Sequence, residues 1–517
     1  MLKIFIPLGR CNTPFHKYNL DETSAMQKID IRPLLKDSSL FKEEAFVNGQ
    51  WIKAASGSTF PINNPATNEI IAGVTNLNAA DTQSAIDAAA HALQGWRSKT
   101  GKERANLMRK WFDLIVANTE DLALLMTLEQ GKPLIESRGE VAYGASFIEW
   151  FAEEAKRVAG TIPSTTWGDK RLMVLKQAIG VCAAITPWNF PIAMITRKIA
   201  PAMAAGCSIV IKPAEQTPLS ALALAELAAR AGIPNGVINI LTADSEQSIA
   251  IGKALCSSSI VRHLSFTGST EVGRILMAQS APTVKKLALE LGGHAPFIVF
   301  EDADIDAAVN GVIASKYRNS GQTCVCANRI YVHKKVHDQF VEKFAKAIQA
   351  IQLGNGLEEG VLQGPLIDQA ALAKVERHVA DALSKGAKLV AGGKRSSLGG
   401  TYYEPTILDH VTSDMLITVE ETFGPVAPII SFESDDEVVK LANQSQYGLA
   451  SYFYSRDIGR IWKVAEALEY GIVGVNSGII SNEVAPFGGV KQSGLGREGS
   501  VFGMDEYLEL KYLCIGL

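Results

Sequence analysis

Short apolar runs recur between stretches of helical length, and this alternation constrains the fold of the chain more than any other feature. Residues 181–185, 208–212, 237–241 and 261–266 read as strands, with a helix over 218–231 between the second and third. A second series follows, with strands at 295–300 and 329–332 and helices at 307–320 and 336–351. Strand and helix in strict turn imply parallel sheets with helices on both faces, because a parallel crossover lays its helix over the sheet. Ahead of them, 81–94 and 102–117 carry helical periodicity, and 46–52 reads as a hairpin turning on Asn48-Gly49. Residues 284–289 read as a helix stopped by Gly292-Gly293, and 507–515 as an edge strand. With 517 residues the chain is long enough for two or three domains, and no solenoid period recurs.

Charge and cysteine content exclude several classes of function. The 50 basic and 54 acidic residues nearly balance, so there is no electrostatic footprint for nucleic acid. The best apolar run, 178–195, is broken by Pro187 and Pro191 and cannot span a bilayer. Seven scattered cysteines, an odd number, fit reduced thiols in the cytoplasm rather than a disulfide framework. Lys3, Arg10 and Lys17 precede the first acid, Asp21, which would suit a mitochondrial presequence and a matrix location. The other reading is a loose extension ahead of a second start at Met26.

The chemistry concentrates at a few places. Cys324 sits at a helix end among glycine and polar residues, in Gly321-Gln322-Thr323-Cys324, which suits a nucleophile. Cys182, Cys207 and Cys256 lie among apolar or small residues and read as core. Glu290, ahead of two glycines, suits a base that swings toward water; the plainer reading is a helix-terminal acid. Asn189 is presented by two prolines in Thr186-Pro187-Trp188-Asn189-Phe190-Pro191 as an oxyanion donor, or as an ordinary Asx turn. Lys212 and Glu215 follow a strand, where an acid can bind a ribose diol. Gly268 and Ser269 open a helix whose N-terminus suits a phosphate. Gly494-x-Gly496-x-x-Gly499 is not a dinucleotide loop, since no strand precedes it and no βαβ unit can follow. His333 and His337 have helical spacing but no third ligand nearby, so no metal is expected.

Taken in order, TPWNFP, KPAEQTP, FTGSTEVG, ELGG, GQTC, EETFGP and PFGGVKQSGLGRE resemble the aldehyde dehydrogenase superfamily from about Phe46 to the C-terminus. The resemblance implies an α/β fold: a Rossmann-type parallel-sheet cofactor domain (41–155 and 180–292) and an α/β catalytic domain (293–492). A small β oligomerisation arm (156–179 and 493–517) would build a homotetramer or dimer, and residues 1–40 would be an extension. It implies that Cys324 is the nucleophile, that Glu290 activates water, and that Asn189 and the Cys324 N–H hold the oxyanion. Thr186, Trp188, Lys212, Glu215, Gly268, Ser269, Gly273, Glu421 and Phe423 would contact the cofactor. Glu215 would favour NAD over NADP by repelling a 2′-phosphate, while Lys212 leaves NADP open.

Within that superfamily SKYRNSGQTCVCANR, GIISNEVAPFGG and EYLELKYLCIGL are most similar to succinate-semialdehyde dehydrogenases. Arg197, Arg318 and Ser481 match the positions that bind the substrate carboxylate there, and glutarate semialdehyde is the rival substrate. Cys326 matches the partner thiol of a reversible redox switch, with a passive thiol as the alternative. A cysteine hydrolase is the competing class; it would want a histidine base, and His294 is the one histidine near these motifs.

Overall fold

The computed structural model describes residues 28–517, so the presequence reading of residues 1–25 lies outside the described residues. Two sheets carry the architecture. The first has eight strands, in the order Gln50–Ile52, Ala45–Val47, Ile238–Ile240, Ser208–Lys212, Val181–Ile185, Val261–Thr267, Lys286–Glu290 and Gly494–Leu495. Its five middle strands run parallel. The second has seven: Lys388–Ala391, Thr406–Asp409, Val426–Phe432, Ala327–His333, Ala295–Val299, Ala450–Tyr454 and Ile472–Val475. All of its pairings are parallel except the first. Strands buried on both faces read as unbroken apolar runs, and that is why Val181–Ile185 and Ala295–Val299 were visible in the sequence.

An antiparallel ribbon of Lys170–Ala178 with Leu508–Gly516 forms a third, separate element. Leu510, Tyr512 and Ile515 on it are exposed. The hairpin at 45–52 turns on Asn48 (φ 52°) and Gly49 (φ 75°), the pair of left-handed residues a two-residue turn of this type requires. Residues 28–40, assigned from sequence to an extension, pack Ile31, Leu35 and Leu40, with the following Phe41, into the core beneath the first sheet. The Asp121 carboxylate fixes them by accepting the N–H groups of Lys36 and Asp37.

Two local expectations are corrected. Residues 284–289 are not a helix. A 3-10 turn at Ala281–Thr283 and left-handed Val284 (φ 51°) lead into the strand Lys286–Glu290, paired with Val261–Thr267. The run is too short to nucleate a helix, and the neighbouring strand offers a full ladder of hydrogen bonds. The helix expected to reach residue 320 ends sooner: Ile305–Lys316 gives way to the tight turn Arg318–Gly321. Asn319, Ser320 and Gly321 are all left-handed there, with φ of 50°, 57° and 75°. No helix among the described residues is long and apolar enough to cross a membrane.

Candidate active site

The helix Ala193–Ala205 buries every one of its residues, Arg197 and Lys198 included. Charges so placed need partners, and the partner of both is Glu498, which lies 2.9 Å from Arg197 and pairs also with Lys198. Lys198 donates further to Ser265 Oγ at 2.9 Å. The rings of Phe147 and Phe487 pack on the Arg197 guanidinium, at 5.5 and 4.0 Å.

This cluster backs a cavity of about 300 Å³ that Cys324, Asn189, Arg197, Arg318, Ser481 and Glu421 share. The parallel strands of the first sheet deliver Thr267 and Gly268 to it at their C-terminal ends, the usual binding edge of such a sheet. Cys324 and Asn189, 135 positions apart, thus face one space. Burial pushes the Cys324 thiol up to about 12, with Arg197 the strongest opposing influence. Asn189 Nδ2 donates one hydrogen to Gln322 O at 3.0 Å. An amide nitrogen has a second hydrogen to give.

Glu290 ends its strand behind the cavity. It is buried, and neither carboxylate oxygen has a hydrogen-bond partner. Burial, then Glu498, lifts it well above the usual carboxylate range, while Arg197 and Lys198 oppose. It stands within electrostatic reach of the Cys324 thiol. The glycines after it serve clearance, not a helix stop: a Cβ on Gly293 would stand 2.3 Å from Cys324 O. A Cβ on Gly488 would come within 2.8 Å of Glu290 Oε1, so Gly488 leaves the carboxylate its room.

The expected cofactor residues gather along the same edge. Lys212 ends its strand and pairs with Glu215 at 3.2 Å. Ser269 caps the helix Thr270–Ser280 by accepting the Val272 N–H. Trp188 meets Phe423 edge-on, with ring centroids 5.6 Å apart. Glu421 accepts the Gly293 N–H at 3.1 Å, and burial raises it to about 7. The hydroxyls of Thr186 and Thr267 are buried without partners. Gly273 has a packing reason, since a Cβ there would meet the Leu291 side chain at 2.5 Å. A capped helix N-terminus, carboxylates suited to ribose hydroxyls and two orphaned hydroxyls fit a dinucleotide.

The two arginines differ. Arg197 already has its acid, as an isolated arginine would. Arg318 has no ion pair among the described residues; its Nε is buried without a partner, and its guanidinium lies 5.3 Å from the Phe190 centroid. Tyr143, from the helix Leu134–Glu154, adds to the cavity a buried hydroxyl without a hydrogen-bond partner. Sequence reading missed Tyr143, Lys198 and Glu498; the adjacent Arg197-Lys198 pair inside an otherwise mostly apolar helix was the available signal. Cys326 is buried off the cavity and donates to Lys316 O at 3.5 Å. His333 and His337 bond separately to Glu433 O and Asp409, and no metal-binding group occurs among the described residues.

Comparison with known proteins agrees with this geometry. The model of the aldehyde dehydrogenase family matches residues 51–513. Glutarate-semialdehyde dehydrogenase of Pseudomonas aeruginosa is 61% identical over 93% of the chain and 99% of that protein. Succinate-semialdehyde dehydrogenase [NADP(+)] of Escherichia coli is 58% identical over 93% of the chain and 100% of that protein. The crystal structure of succinate-semialdehyde dehydrogenase from Burkholderia pseudomallei superposes with a TM-score of 0.92 at 61% identity, covering 93% of the chain and 100% of that one.

Proposed function

The chain belongs to the aldehyde dehydrogenase family and oxidises an aldehyde to an acid with NAD(P)+, and from that premise we propose its substrate and the role of each residue. The substrate is a semialdehyde with a carboxylate at its far end: succinate semialdehyde, with glutarate semialdehyde the second candidate. One observation carries this reading. Arg318 brings to the cavity that holds Cys324 a half-buried guanidinium with no ion pair among the described residues, its Nε buried without a partner, and the Tyr143 and Ser481 hydroxyls there supply further donors. An unpaired cation in such a place is costly without an anion to meet it.

Cys324 sulfur adds to the aldehyde carbon as its thiol gives its proton to water. The oxyanion that forms takes hydrogen bonds from Asn189 Nδ2 and the Cys324 backbone N–H. The adduct then re-forms its C=O bond and expels hydride, leaving a thioester on Cys324. Lys212, Glu215, Ser269 and Glu421 would hold NAD(P)+, which would supply the hydride acceptor. Glu290, as carboxylate, takes a proton from water, whose oxygen attacks the thioester and releases the acid. Arg197 and Lys198 favour the charged form of Glu290, and the neighbouring Glu498 carboxylate opposes it. The exposed ribbon of Lys170–Ala178 and Leu508–Gly516 is the surface through which copies of the chain assemble.

The test is NADH or NADPH formation, followed by absorbance, with succinate semialdehyde, glutarate semialdehyde and butanal. A kcat/KM at least about 30-fold higher for one of the semialdehydes is expected, the size of one charge-assisted hydrogen bond. Equal values for butanal would refute the anionic tail.

Cys326 is further proposed as a redox partner of Cys324. Peroxide would convert the Cys324 thiol to a sulfenic acid with release of water. Attack by the Cys326 thiol would then form the disulfide and release a second water. Mass spectrometry after mild peroxide should show a 324–326 link that a thiol reductant removes; its absence would leave Cys326 a passive core thiol.

A further inference from the structure

The helices Thr119–Gln130 and Leu134–Glu154 meet at Gly131-Lys132-Pro133, and this junction grips both loops that converge on the oxyanion. The Lys132 ammonium and the Glu140 carboxylate form a salt bridge, each side chain only 1% exposed. Lys132 Nζ also donates to Asn189 O at 2.7 Å and stands 4.1 Å from the Phe190 centroid. Glu140 Oε1 accepts the N–H groups of Ile192 and Ala193, at 2.9 and 3.2 Å. The Asn189 loop is therefore tied at one carbonyl and two amides.

The nucleophile loop is tied from the same place. Gln130 Nε2 donates to Asn319 Oδ1 at 3.0 Å, and Glu136 Oε2 accepts the Asn319 N–H at 2.9 Å. Asn319 Nδ2 in turn donates to Asn189 O at 3.0 Å, closing the circuit. A buried ion pair is a poor source of stability, because desolvating two charges offsets most of their attraction. What it does provide here is direction: a fixed donor for a carbonyl and a fixed acceptor for two amides.

We propose that the Lys132–Glu140 pair is a positioning device that sets the Asn189 amide against the Cys324 backbone N–H, so that both donors reach one oxyanion. The proposal rests on the oxyanion role assigned to Asn189 above. A displacement of about 1 Å at a reacting centre can cost about 100-fold in rate, so the clamp is expected to act chiefly on kcat.

The informative variant is the double substitution Lys132→Met with Glu140→Gln. It removes both charges, leaves neither buried alone, and keeps an acceptor for Ile192 and Ala193. Gln130→Met, which releases Asn319 from the other side, is the milder second variant. Four quantities are measured on the full-length enzyme: Tm, NAD+ affinity, alkylation of Cys324 by iodoacetamide, which develops no oxyanion, and the pre-steady-state NADH burst. The expected result for the double variant is a burst and kcat lower by about 10- to 100-fold with KM within about threefold. Gln130→Met should show a smaller loss of the same kind, and Lys132→Arg, which restores a donor, should recover part of the burst. Alkylation and NAD+ affinity should stay at parent values. The proposal is overturned if both variants fold and keep kcat within threefold, or if alkylation and cofactor affinity fall in parallel with kcat. Asn189→Ala separates the two levels. If it also leaves the burst intact, the oxyanion assignment fails; if it abolishes the burst while the clamp variants do not, only the clamp fails.

Discussion

Arg197 and Glu498 are 2.9 Å apart in the protein interior, and Lys198 closes on the same carboxylate from a second side. The guanidinium of Arg197 is thereby committed before substrate arrives, whereas that of Arg318 is not. Under the proposed reading Arg318, with the Tyr143 and Ser481 hydroxyls, meets the substrate tail, while Arg197 lines the same cavity with its charge shared by Glu498.

Removing Arg318 should therefore be selective. Arg318→Ala is expected to raise KM for the semialdehyde by about 10- to 200-fold, the range of a charge-assisted hydrogen bond, with little change for butanal. Arg197→Met should instead lower kcat for both aldehydes, because it loosens Glu498. Steady-state kinetics with the two substrates decides; equal losses of kcat/KM in Arg318→Ala would refute the tail assignment.

Glu290→Gln should stop turnover after the first half of the reaction. A burst of NADH near one equivalent per site is expected, with the steady-state rate down by about 100- to 10,000-fold and an acyl adduct on Cys324 visible by mass. The parent enzyme's deacylation should quicken as pH rises. In the proposed mechanism Glu290 acts as a carboxylate, and burial holds its folded-state pKa well above the usual range, so the active form would grow with pH. The variant should lose that dependence.

Cofactor choice should turn on Glu215. Its carboxylate, 3.2 Å from Lys212, is placed to accept ribose hydroxyls and to repel a 2′-phosphate. NAD+ is expected to give the higher kcat/KM. Glu215→Gln should narrow the gap by about tenfold or more, since it removes repulsion near Lys212. A parent enzyme that prefers NADP+ would show that Lys212 dominates.

His263 should make the fold sensitive to acid. It is fully buried against the Tyr507 ring, neither ring nitrogen has a partner, and burial depresses it from 6.5 to about 3. The unfolded chain binds a proton near 6.5 that the folded chain refuses, so stability is full above that pH and falls as pH drops toward 3. The shift corresponds to roughly 4 to 5 kcal/mol over that window. His263→Phe should flatten this limb of a Tm-against-pH curve; an unchanged slope would refute the assignment.

Much of this site could be read before the fold was known, because its parts sit in compact motifs. Asn189 between two prolines and Cys324 after Gly321-Gln322-Thr323 both proved to face one cavity. The strands at 181–185 and 208–212 were visible because burial on both faces leaves an apolar run. Residues 284–289 misled because a six-residue segment takes its structure from the strand beside it. The two glycines at 292–293 looked like a stop signal, yet Gly293 makes room for the carbonyl of Cys324, a contact between chain segments 31 residues apart. The Glu498 partner of Arg197 lies 301 positions away, and the Lys132 donor to Asn189 lies 57 away. Such pairings depend on register and packing across the whole molecule, which no local pattern encodes.

The three left-handed residues ahead of Cys324 bear on how this enzyme could be retuned. A side chain at Gly321 would drive its first carbon to 2.2 Å from the carbonyl oxygen of Gly424, and Asn319 is pinned by four hydrogen bonds. Mutant libraries aimed at the segment around the sulfur would mostly return dead protein. Diversity aimed at the opposite wall, at Tyr143 and Ser481, leaves that backbone alone, and new aldehyde preferences are to be sought there.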